Sequence, residues 1–157
     1  GLIGYIVVNV LLYITVGIEE ELMFRSVVTE CVLRKNSNII VFASVYSGLL
    51  FGLAHITNFI FDADMTMFNK WCTMIMAFVF GFTLAVIFLR TKSIGAVITL
   101  HFLWDFADFM NHMMIVERYR YGGSYNALAL QIPVLIVMFV IAVFCMYNKR
   151  QMRLQSV

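Results

Sequence analysis

The chain has 157 residues, 62% hydrophobic and 13% charged, with a mean hydropathy of +0.91 and a formal net charge of +2. So apolar a composition excludes an ordinary soluble domain, and the absence of any basic, aromatic-interleaved stretch excludes nucleic acid as a partner. What it predicts is an all-α, polytopic transmembrane bundle, one domain over 1–157 with about five segments in the membrane.

A mostly apolar run of roughly 17 to 25 residues crosses a hydrocarbon core about 30 Å thick. Five stretches qualify as whole or nearly whole spans: 2–16, running on to 33, then 39–61, 71–89, 94–114 and 127–147. Continued as one helix to Leu33, the first would be about 50 Å long at about 1.5 Å per residue, so it must protrude, tilt or break near Gly17. The chain opens on Gly1 with no Met, basic leader or cleavage site, so its start reads as a trimmed boundary with room for earlier spans upstream.

The connections at 34–37 and 90–93 are short. That at 58–70 is longer and holds Asp62 and Asp64 among Phe59, Phe61, Met65, Met67 and Phe68, which suits either a gate lying on the membrane surface or a plain connector. Another long one runs over 115–126. Arg34, Lys35, Arg90, Lys92, Lys149, Arg150 and Arg153 fall on alternate connections, which puts those connections and the C-terminus in the cytoplasm; Arg118 and Arg120, beside Glu117, weigh against it. Gly48 with Gly52, and Ala77 with Gly81 and Ala85, have the spacing of close helix contacts, although such residues are also frequent in membrane helices generally. Pro133 is expected to kink the last span or cap its start. Cys31, Cys72 and Cys145 lack metal-type spacing and read as apolar filler.

Against this background the ionisable residues stand out, because one such side chain at mid-bilayer costs about 2.5 to 3.5 kcal/mol on insertion scales. Glu19, Glu20, Glu21 and Arg25 lie on the first run, His55 on the second, and His101, Asp105, Asp108 and His112 on the fourth. At helical spacing Glu21 and Arg25 pair, while Glu20, about 100° round from Glu21, is free to face a cavity as a general base. Glu19 becomes an entry-side charge, and a solvated cluster at a helix break is the plainer alternative for the whole group. His101, Asp105, Asp108 and His112 share one edge of their helix, which should line a wet or protein-buried cavity, the last two nearer the interface. His55, with Phe51 one turn earlier, reads alone as a packing histidine and gains meaning from its company.

Glu20-Glu21-x-x-x-Arg25, Phe51-x-x-x-His55 and His101-x-x-x-Asp105, in that order and each in an apolar run, resemble the three motifs of the CPBP (Abi) family of intramembrane proteases, which includes CAAX-prenyl endopeptidases and bacteriocin-processing proteins. The likeness covers residues 20 to about 109. It implies peptide hydrolysis within the membrane, with Glu20 and His55 activating a water and His101 with residue 105 stabilising the oxyanion or sharing a metal. Ser26 stands where many members have Gly, and Asp105 where prenyl-protease relatives have Asn. An ionised carboxylate cannot donate to an oxyanion, so Asp105 would instead orient His101, fix its tautomer or act near a metal.

Glu20, His55 and His101 are also the ligand types of a hydrolytic zinc site, which would make the protein a metalloprotease. Without an HExxH arrangement, the preferred reading is a glutamate-activated water with no obligatory cofactor. The resemblance further implies a hydrophobic or lipidated peptide or membrane-protein substrate, a setting among the lipids of a bacterial cytoplasmic membrane, and a role in bacteriocin processing or self-immunity. Two other readings use the same residues: a non-catalytic immunity or binding module with a structural polar network, and an ion or proton path along the polar stripe.

Overall fold

The computed structural model describes residues 1–29, 31–32, 40–61, 66–120 and 128–147. The connection at 34–37, the acidic centre of 58–70 and the basic cluster at 149–153 lie outside the described residues.

Helix α1 (Leu2–Glu21) passes directly into a π-helical segment (Leu22–Thr29). Helix α2 (Ile40–Ala54) ends in a turn at His55 and Ile56 and is followed by the short α3 (Thr57–Phe61). Three long helices complete the bundle: α4 (Met67–Thr91), α5 (Ile94–Arg120) and α6 (Leu128–Tyr147). No strand occurs among the described residues, so the all-α expectation holds. Leu2–Thr29 and Met67–Thr91 are long and apolar enough to cross a bilayer by length and composition, whereas Ile40–Ala54 and Ile132–Met146 are shorter apolar helices. The turn at His55 and Ile56 divides the second run into Ile40–Ala54 and Thr57–Phe61, and the fourth carries the polar side chains His101, Asp105, Asp108, Asn111 and His112.

The first run does not break at Gly17. A Cβ there would meet Ile98, Phe102 and His101 at 3.6 to 3.8 Å, so the glycine marks where α5 crosses an uninterrupted α1. The helix changes instead at Leu22, where the wider π geometry begins. Within it the Phe24 carbonyl accepts from the Thr29 hydroxyl at 2.8 Å and from the Ser47 hydroxyl at 3.3 Å, which ties the segment to α2.

The closest helix contact joins α2 to α4 through the small residues. A Cβ on Gly48 would lie 2.8 Å from the Phe82 amide nitrogen, one on Gly52 3.0 Å from the Met74 carbonyl oxygen, and one on Gly81 2.7 Å from the Phe51 Cβ. The buried core lies along this crossing and includes Phe24, Phe51, Phe80, Leu84 and Phe88. Helix α1 packs on α5 and α6 on α4, with apolar side chains such as Leu2, Ile3 and Val8 of α1 and Val140 and Phe144 of α6 left on the outer surface.

Several smaller expectations change. Residues 58–61 and 67–70 are helical, not open connector, and α4 is capped where the Thr66 hydroxyl accepts from the Asn69 amide at 3.3 Å. Pro133 sits inside α6. The three cysteines are free: Cys31 is exposed, Cys72 is half-buried, and Cys145 is half-buried against the cluster of Phe82, Val86 and Ala142.

Candidate active site

The last turn of α1 and the start of the π segment bring a carboxylate pair and Arg25 to the face of α5. Glu21 and Arg25 are completely buried, with Arg25 Nε 2.9 Å from Glu21 Oε2. This close ion pair lies off the hydrogen-bonding line, and Arg25 Nη1 has no hydrogen-bond partner among the described residues. Arg25 Nη2 donates to the Gly81 carbonyl at 3.2 Å, and the guanidinium stacks 5.0 Å from the Phe51 ring centroid. The expected pairing of Glu21 with Arg25 is therefore present, and the arginine also reaches α4 and α2.

Glu21 has a second partner that spacing along one helix does not reveal. Its Oε1 lies 2.7 Å from His101 Nδ1. A carboxylate held against a guanidinium accepts, so Nδ1 carries the proton and the ring turns Nε2 toward the other acids. His101 Nε2 is 3.6 Å from Glu20 Oε2 and 3.6 Å from Asp105 Oδ2, beyond hydrogen-bonding range but close enough for strong electrostatic contact. Thus Glu21, not Asp105, fixes the tautomer of His101, because its Oε1 is the partner of Nδ1 while Asp105 faces Nε2. Glu20 retains 34% side-chain exposure, in contrast to its buried neighbour.

His55 occupies the turn that ends α2, where its Nδ1 lies 3.0 Å from the Phe51 carbonyl. That oxygen can only accept, so the neutral ring carries its proton on Nδ1 and its lone pair on Nε2. His55, His101, Asp105 and Asp108 line one cavity of about 220 Å³ with Thr73, Met76, Ala77 and the rings of Phe51, Phe80 and Trp104. Phe51 and Phe80 meet His101 edge-on at 5.8 and 5.2 Å and hold its plane. Glu20 approaches the same imidazole from α1.

Not every candidate enters the site. Glu19 and His112 are exposed, and Asp108, read as interfacial, lines the cavity. Sequence reasoning passed over Thr73 on the cavity wall and the buried Lys70 and Asn111. Their signal was a polar side chain inside an apolar helix, visible without any motif. Among the described residues no three His, Cys, Asp or Glu side chains, Glu20, His55 and His101 included, are grouped to hold a metal ion. The donor set as built does not fit zinc, and no step below passes through a metal.

A family model described as type II CAAX prenyl endopeptidase Rce1-like matches residues 3–107, a stretch that contains all three motifs. The chain belongs to this family. No curated protein and no solved structure matched it. As an Rce1-like protein it is a CAAX-protease-type peptidase of the membrane, which implies a lipidated or prenylated peptide as substrate. The Rce1-like match runs from the start of α1 to just past Asp105, and so takes in the residues around the His101 imidazole.

Proposed function

We propose that this chain is an intramembrane endopeptidase in which Glu20 draws a proton from a water held between the carboxylates and the two histidines. The resulting hydroxide attacks the substrate carbonyl, and the proton passes to the leaving amine as the C–N bond breaks. His55 Nε2, left as an acceptor by the bond from Nδ1 to the Phe51 carbonyl, orients that water. His101, with Nδ1 bound by Glu21, would in its imidazolium form present Nε2–H to the developing oxyanion, and Asp105 sustains that positive charge. The observation that carries this reading is the pair of 3.6 Å approaches of Glu20 and Asp105 to His101 Nε2, at the wall of a cavity shared with His55.

Glu20→Gln keeps the shape and removes the base. In proteoliposomes given a prenylated peptide, it should lower cleavage by about 10² to 10⁴-fold with the melting temperature unchanged. Undiminished turnover would overturn the assignment. The complete burial of Glu21 and Arg25 also supports a second reading, a non-catalytic immunity or binding protein stabilised by the same network. A self-immunity phenotype that survives the combined Glu20→Gln and His55→Ala changes would favour it.

A further inference from the structure

Two stripes of α4 face two different spaces. Thr73, Ala77 and Phe80 line the polar cavity, while Ile75 and Val79 face an open groove of about 310 Å³, bordered on its far side by the exposed Ile136 and Phe139 of α6. The stripes are one residue out of phase, about 100° apart on the helix, and Met76 belongs to both. The second space has the volume of a small-molecule pocket, roughly 300 Å³ and upward, and its lining is apolar throughout. Met76 is thus the partition between the histidines and an aliphatic slot, and methionine is the unbranched, adaptable side chain that gives way most readily to an entering chain.

The geometry points to Met76 as a specificity-determining residue: the lipid chain of the substrate lies in the slot between α4 and α6 while its peptide crosses Met76 into the cavity. This rests on the peptidase reading and adds to it where the lipid goes and which side chain selects it. A lipidated cysteine joins a polar backbone to a long hydrocarbon within one residue. Acceptance of such a substrate needs a wet space and a dry one side by side, and the shared Met76 wall supplies that junction. Bilayer lipid is the competing occupant.

The test compares one peptide sequence with and without an S-farnesyl group, in phosphatidylcholine vesicles. Met76→Trp blocks the passage and should lower the ratio of kcat/KM for the farnesylated over the unmodified peptide by about tenfold or more, the scale on which apolar pockets discriminate. Met76→Leu, of similar volume, should keep the ratio. Equal loss on both peptides, or no loss, overturns the proposal. A second readout needs no hydrolysis, because Cys72 lines the slot and is half-buried. In a Cys31→Ser, Cys145→Ser, Glu20→Gln background, the farnesylated peptide should slow alkylation of Cys72 by N-ethylmaleimide and the unmodified peptide should not. Equal rates mean that bilayer lipid fills the slot and the proposal fails. Protection of Cys72 without cleavage by the Glu20 enzyme would sink the peptidase reading and leave the slot, and cleavage without protection would do the reverse.

Discussion

Glu21 holds Arg25 with one oxygen and His101 with the other, from a position with no solvent contact. A buried ion pair repays its desolvation only while both partners are present, and removal of one costs about 3 to 5 kcal/mol. Arg25→Ala should therefore destabilise the solubilised protein by about 3 to 5 kcal/mol, as measured by thermal unfolding. Glu21→Leu combined with Arg25→Met should restore most of that stability, since an apolar pair of similar volume is often neutral. It should not restore cleavage, because His101 Nδ1 then has no acceptor; a stable double variant with full activity would reduce Glu21 to packing. Spacing made the Glu21 to Arg25 pair legible, both residues lying on one helical face. The Glu21 to His101 bond was not, since the two are eighty positions apart and only the packing of α1 on α5 through Gly17 brings them together.

Helix crossings make the same distinction between glycines that look alike in sequence. At Gly48 a Cβ would strike the backbone of α4 at 2.8 Å, a contact that no side-chain rotation relieves, whereas at Gly17 the nearest atoms are 3.6 to 3.8 Å away. Gly48→Ala should cost about 1 to 3 kcal/mol by forcing α2 from α4. Gly17→Ala should be neutral or stabilising by roughly 0.5 to 1 kcal/mol, the gain in helix propensity. Unfolding of the two variants side by side checks the pair, and a reversed order would mean that the α2 to α4 crossing yields more easily than its backbone contact allows. The small-residue spacing showed that contacts were available but not which helices met. The π segment was less legible still, because no hydrophobic period announces it; its marker is Phe24, whose carbonyl takes two hydroxyls, one from Ser47 on another helix.

Across the whole molecule, composition and motif order sufficed for the all-α class and the Rce1-like family, and two of the five apolar runs, the first and the third, form helices long and apolar enough to cross a bilayer. Cys31 is exposed two residues past the π segment and three before Arg34, and the positive-inside tendency predicts that the basic connections face the cytoplasm. A membrane-impermeant maleimide should then modify Cys31 in inverted vesicles and spare it in intact cells, in a Cys72→Ser, Cys145→Ser background; the opposite pattern would invert the topology. Glu20, Glu21, His101 and Asp105 belong to the α1 and α5 half of the bundle, whereas His55 rides on α2 against α4. The two imidazoles therefore reach their shared cavity from different pairs of helices. Arg25, bound to Glu21 on one side and to the Gly81 carbonyl on the other, ties one pair of helices to the other and so helps set how far apart the two imidazoles stand.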